Sequence, residues 1–262
     1  MSSDGVWRAV VRTAVAPLLA EPRASAPQVS QRLAGHLVEV FETEGEWQHV
    51  RGADRYEGWV HTGYLTRAPG GAARQSRGAR RLSLGCHTRT PGGGHRALPL
   101  GAYLSPDETV LAGDAVPETE LHTRFPRTAA AIARTAQEFF EGASYQWGGV
   151  TPWGADCSGF VQTVFWLHGV ELPRDAWQQA EAAAESRRAL ASLQAGELAF
   201  FSDRDDLKIT HVGLGVGGGR MAHMAIGRGG FSVERTADER DPYVRKLRER
   251  FRFVRRVLEA AS

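Results

Sequence analysis

The chain has 262 residues, 42% of them hydrophobic and 24% charged, with a formal net charge of +2. That length suits one large domain or two to three small ones, and the near-balanced charge argues against a polyanionic partner such as nucleic acid. Only two cysteines occur, Cys86 and Cys157, which excludes a disulfide framework, and no run of about 18 apolar residues offers a membrane span.

Met1–Ala20 has no basic leading segment, and its apolar stretch Val15–Ala20 is short and broken by Pro17. No signal peptide is expected, so a cytoplasmic location is. The first 68 residues read as short strands at Val6–Ala14, Gln31–Leu33, Leu37–Glu42, Trp47–Arg51 and Gly58–His61. Turn signals separate them, and this pattern predicts a small β-barrel over 1–68. Ala68–Arg80, rich in Gly, Ala and Arg, reads as a linker. A second β-like segment runs from Leu82 to about Leu121, so 69–125 is expected to hold the linker and a second small barrel.

From Pro126 the character changes, and 126–262 is expected to form an α+β domain. Pro126–Glu141 has apolar residues at helical spacing and ends at Gly142. Phe160, Val161, Val164, Phe165 and Leu167 mark a second helix closed by Gly169, and Leu172-Pro173 is expected to open a third. Leu198–Phe201, Thr210–Val216 and Arg220–Ile226 read as strands. The basic run Val244–Arg256 is interleaved with Phe251, Phe253 and Val254, and is read as a terminal element with a solvated basic face.

The chemistry centres on Asp156-Cys157-Ser158-Gly159-Phe160. A thiol in the first turn of a helix feels the positive dipole end and unpaired N–H groups, which predicts a lowered pKa and a nucleophilic role. Cys86 reads instead as a buried structural cysteine. In the alternating run His211–Val216, His211 shares a face with Gly213 and Gly215, and the glycines are expected to leave space for a substrate. His223 follows across the turn Gly217-Gly218-Gly219. In a hairpin it is placed to bond Nδ1 of His211 and hold its tautomer. Gly213, Gly215 and Gly218 match a dinucleotide-binding glycine pattern, but a strand-like run follows where a helix is needed. No zinc-ligand spacing occurs, and neither metal nor cofactor is expected.

Tyr145-Gln146-Trp147-Gly148-Gly149, Gly154–Gln162, Leu172–Ala176, Gly196–Phe201 and Thr210–Gly213 together resemble the NlpC/P60 cysteine peptidases, over about Pro126–Val257. The N-terminal segment is similar to a bacterial SH3 domain in Ala16-Pro17-Leu18, Glu21-Pro22, Val29-Ser30-Gln31 and Tyr56-Glu57-Gly58-Trp59-Val60. The resemblance implies two small SH3-like β-barrels followed by a papain-like α+β catalytic domain. It implies Cys157 as nucleophile, His211 as base and His223 as the orienting polar residue. The whole arrangement resembles the γ-D-glutamyl-L-diamino acid endopeptidases, which cut murein peptides bearing a free N-terminal L-Ala.

That likeness further implies that Asp156, with Glu21 and Tyr56, meets the substrate ammonium, a group that needs anionic partners once buried. Asp156 reads alternatively as a helix cap. Tyr145, Trp147, Ser158 and Arg174 are expected to line the groove, and Arg174 either pairs with a D-glutamate carboxylate or forms a structural salt bridge. Ala176 and Glu197 stand where related sequences often have serine and aspartate. Short murein peptides are the expected partners. A transferase or amidase using the same thioester, and a noncatalytic wall-binding protein, are the alternatives.

Overall fold

The computed structural model describes residues 5–68, 80–186 and 189–258. The linker expected over Ala68–Arg80 therefore lies, except for its two end residues, outside the described residues. The chain divides into two compact units, Met1–Arg124 and Phe125–Ser262.

The first unit opens with β1 (Trp7–Val11), β2 (Val15–Leu19), β3 (Gln28–Leu33), β4 (Leu37–Glu44), β5 (Trp47–Arg51), β6 (Glu57–His61) and β7 (Leu65–Arg67). They form an antiparallel sheet in the order β3-β2-β6-β5-β4-β1-β7. Alternation along these strands buries Ala9, Val11, Ala16, Leu18, Val38, Val40, Val50 and Val60 in one core. Strand β2 runs straight through Pro17, the residue that breaks the apolar stretch in the sequence. Its second side meets β6 only at Leu19↔Trp59, so a residue without an N–H is tolerated there.

The same unit continues with β8 (Arg81–Arg89), β9 (His95–Leu98), β10 (Tyr103–Leu104) and β11 (Thr109–Pro117), followed by the short helix α1 (Leu121–Arg124). In place of the expected second small barrel, β8–β11 form a four-stranded sheet in which β10, β11 and β9 all pair with β8, and the pairing closes neither sheet on itself. A buried carboxylate organises it. Glu108 takes a two-pronged pair from Arg96, at 2.6 Å on each oxygen, and a bond from the Ser105 N–H at 3.0 Å.

The second unit carries α2 (Ala129–Phe140), β12 (Val150–Thr151), β13 (Gly154–Ala155), α3 (Cys157–Leu167) and α4 (Ala176–Ala182). Then come β14 (Ala184–Ser186), β15 (Glu197–Phe201), β16 (His211–Gly217), β17 (Arg220–Ala225), β18 (Gly230–Arg235), α5 (Pro242–Arg250) and β19 (Phe251–Arg256). Its main sheet runs β14-β19-β15-β16-β17-β18, so the last strand returns beside β15. Thr128 caps α2, and Gly169 at φ 69° lets the chain leave α3. Helix α4 starts later than expected. Leu172-Pro173 stays outside the helix, and a capping box between Asp175 and Gln178 begins it at Ala176.

Phe160 of α3 packs edge-on against Phe140 of α2 and Phe231 of β18, at ring separations of 5.0 and 5.7 Å. A second cluster gathers Leu190, Leu193, Ala199, Phe201, Met221, Leu247 and Val254, with Tyr243 and Phe251 against it. The basic run of α5 and β19 is largely paired. Arg248 bonds Glu239, Arg250 lies 3.7 Å from Asp203, and Arg255 lies 3.1 Å from Glu185. No described helix is long and apolar enough to cross a membrane.

Candidate active site

Cys157 is the first residue of α3, and only 8% of it is exposed. Two glycines let this helix start sit where it does. A Cβ on Gly159 would lie 2.1 Å from the Gly149 carbonyl oxygen, and one on Gly149 would lie 2.3 Å from that of Gly154. The helix therefore rests directly on the backbone of the Gly148-Gly149 turn.

Asp156 caps the helix. Its Oδ1 accepts from the Gly159 N–H at 2.8 Å and the Ser158 hydroxyl at 3.2 Å, and its Oδ2 accepts from the Gly148 N–H at 2.8 Å. Arg174 donates to both oxygens, at 2.9 and 2.6 Å, and to the Ser158 hydroxyl at 2.9 Å. Of the two readings of Arg174, the structure shows the salt bridge. Its buried guanidinium is turned onto Asp156 and helps hold the helix start.

The expected lowering of the Cys157 pKa is not what the structure gives. Burial pushes the thiol up to about 12, and the Asp156 charge adds to the rise. The N–H groups of Val212 and Ser158 and the Arg174 charge pull the other way but do not prevail. The carboxylate that caps α3 cancels at the sulfur much of what the helix dipole offers.

The Val212 N–H that faces the sulfur belongs to the residue after His211. His211 opens β16, and its Nε2 lies 2.9 Å from Nδ1 of His223 on β17. The two histidines meet as the hairpin reading expects, but through the other nitrogen of His211. Its Nδ1 is thereby left out of the histidine pair. Burial first, then the charges of His223 and Arg250, hold the His211 imidazole well below its usual value. Burial therefore favours the neutral form of both the Cys157 thiol and the His211 imidazole.

The glycines beside His211 do not open space. A Cβ on Gly213 would strike the Met221 sulfur at 2.3 Å, and one on Gly215 would strike the Gln194 carbonyl oxygen at 2.0 Å. They allow the second cluster and the 190–195 segment to close on the strand. As expected, a strand and not a helix follows the glycine turn: Gly217, Gly218 and Gly219 all have positive φ and lead into β17.

Tyr145 is half-buried near the helix start. Burial raises its phenol, and the charges of Cys157 and Asp156 add to this. Trp147 is 67% exposed, whereas Ser158 is buried. Glu21 and Tyr56 belong to the first unit. Glu21 is an exposed carboxylate paired with Arg23 at 2.9 Å, which lowers its pKa, and Tyr56 directly precedes β6.

Sequence reasoning missed Glu234 on β18, Arg228 before it and Tyr243 on α5. The His223 Nε2 lies 3.5 Å from Glu234 Oε1, and the two rings of His223 and Tyr243 are 6.0 Å apart. The alternation of Ser232 and Glu234, across the hairpin from His223, was the available signal.

A cysteine opens a buried helix of an α+β domain, next to a strand bearing one histidine bonded to a second, which is the arrangement expected of a cysteine peptidase. Residues 142–248 match the NlpC/P60 family and residues 14–66 the bacterial SH3 domain. The chain is 32% identical over 225 residues to the gamma-D-glutamyl-L-lysine dipeptidyl-peptidase of Bacillus subtilis (strain 168), a match covering 74% of this chain and 71% of that one. It is 46% identical over 84 residues to the bifunctional muramidase/DL-endopeptidase CwlT of the same strain, covering 31% of this chain and 25% of that one. A crystal structure of an NlpC/P60 family protein from Bacillus cereus shares the fold, with a TM-score of 0.79 at 20% identity over 96% of this chain and 100% of that one. The chain belongs to the NlpC/P60 family of cysteine peptidases, with a bacterial SH3 domain ahead of the peptidase domain.

Proposed function

We propose that the protein hydrolyses the γ-D-glutamyl–L-diamino acid bond of murein peptides that carry a free N-terminal L-Ala. The observation that carries this reading is the Cys157–Val212 contact beside the His211–His223 pair. The extended likeness to a gamma-D-glutamyl-L-lysine dipeptidyl-peptidase supplies the substrate class.

In this reading Cys157 is the nucleophile, His211 the base and His223 the residue that orients it. The thiol proton passes to His211 Nδ1 as sulfur bonds to the γ-carbonyl carbon. The oxyanion is held by backbone N–H groups around Cys157. His211 then protonates the departing amine of the diamino acid, and water cleaves the thioester to release L-Ala-γ-D-Glu.

We assign Tyr145, Trp147 and Ser158 to the groove, and Asp156 to the end that receives the ammonium. Five donors already occupy Asp156, so it acts on that ammonium through charge and not through a free oxygen. Arg174 serves the scaffold. A requirement for a short free-amine peptide fits recycling of wall fragments in the cytoplasm. Recovery of the tagged protein in a wall or extracellular fraction contradicts that location.

Substrate selection is tested by incubating the full chain with L-Ala-γ-D-Glu-L-Lys and its N-acetylated form. The free-amine peptide is cleaved faster in this account, and equal rates refute the free-amine requirement.

A further inference from the structure

The His211–His223 pair does not end at His223. The His223 side chain is fully buried, and beyond it lies Glu234, whose side chain is 7% exposed. Three donors converge on Glu234 Oε1: the Ser232 hydroxyl at 2.7 Å, Arg228 Nε at 2.8 Å and His223 Nε2 at 3.5 Å. Arg228 also reaches Oε2 at 2.9 Å. The same guanidinium bonds Asp241, the N-cap of α5, and lies over the Tyr243 ring at 4.3 Å. A carboxylate so deep in the domain needs this many donors to remain charged.

We propose that Glu234 is a positioning residue that fixes the direction of every proton in the histidine relay. A carboxylate can only accept. His223 must therefore carry its proton on Nε2, facing Glu234. A neutral imidazole has one N–H, so His223 Nδ1 is bare and accepts. His211 Nε2, 2.9 Å away, must then be the donor, and His211 Nδ1 is left with a free lone pair. Only that tautomer makes His211 a base through Nδ1. The opposite chain of tautomers would put a proton on His211 Nδ1 and leave it unable to take one.

The carboxylate has a second consequence. When His211 receives the thiol proton, positive charge appears on the relay in a buried place. Glu234 is the nearest anion bonded to that relay, and Arg228 and Ser232 hold it in position. No proton needs to leave His223 for this to operate. The groups around His223 are His211, Glu234, Arg228 and Tyr243, and the charge of Arg250, at the end of α5, acts on His211. The inference rests on cysteine-peptidase chemistry and not on the identity of the peptide, so it is tested without substrate.

The experiment is 15N NMR of the histidine side chains in the full chain at neutral pH, paired with the rate of Cys157 alkylation by iodoacetamide. In the unaltered protein both His211 and His223 are expected as Nε2–H tautomers. In Glu234→Gln, whose amide can donate, the His223 tautomer is expected to mix or invert. Cys157 alkylation is then expected to fall roughly ten- to hundredfold, the size of effect a misplaced catalytic group produces. Glu234→Ala should show the same loss. Nδ1–H tautomers in the unaltered protein overturn the proposal, and this reading stands even if the variants fail to fold. A folded Glu234→Gln with unchanged tautomers and unchanged alkylation overturns it as well. Nε2–H tautomers in an unaltered protein that leaves the peptide intact would count against the substrate assignment and support this proposal all the same.

Discussion

Cys157 shows how local context overrides a general rule. A helix N-terminus ordinarily favours a thiolate, yet this sulfur is buried beside the carboxylate that caps its own helix. Burial drives the thiol up and the imidazole of His211 down, so the proton stays on sulfur at neutral pH. Alkylation of the resting enzyme by iodoacetamide should be slow at pH 7 and climb steeply as the pH is raised toward 10. Cys157→Ala serves as the blank for the buried Cys86. Fast alkylation holding a plateau down to pH 5 would mark a resting thiolate–imidazolium pair and refute this. The cysteine and both histidines were legible in the sequence because they sit in ordered motifs. Glu234 was not, since a glutamate on a strand ordinarily faces water, and only the fold shows it under Arg228.

At the scale of elements, the start of α3 is the joint on which the site depends. Arg174 and Asp156 form a buried pair, and removing one partner strands the other charge. Arg174→Leu should cost about 3–5 kcal/mol in denaturant unfolding of the second unit. A loss below about 1 kcal/mol, the worth of an exposed pair, would contradict the burial. Gly159→Ala should act through shape alone. Its Cβ would overlap the Gly149 carbonyl, shifting the helix start at a cost of about 1–3 kcal/mol. Cleavage should fall by about a hundredfold, as small displacements of reacting groups do; unchanged turnover would show that the contact relaxes freely. Helices α2 and α3 were readable from apolar spacing and their closing glycines. The late start of α4 was not, because Asp175 and Gln178 cap it after the proline. Strand β19 was hidden because alternating Phe and Arg in a basic tail suggests a solvated face, whereas Arg255 pairs with Glu185 and Arg252 bonds the Ser202 carbonyl once β19 lies between β14 and β15.

At the scale of the molecule, two compact units carry separate cores. The sequence showed the change of character near residue 125 and the short strands that open the first unit. It did not show that the segment after the linker makes a four-stranded sheet around β8 in place of a barrel, because short β runs with turn signals read alike in both. The full chain should cleave the free-amine peptide faster than its N-acetylated form, and equal rates would contradict the free-amine requirement. The most direct test of the central claim is mass spectrometry of L-Ala-γ-D-Glu-L-Lys and its diaminopimelate counterpart after incubation with the full chain, beside a Cys157→Ala control. The account predicts L-Ala-γ-D-Glu and free diamino acid from the unaltered protein only. Intact peptides with a reduced thiol, or the same products from the control, would contradict it.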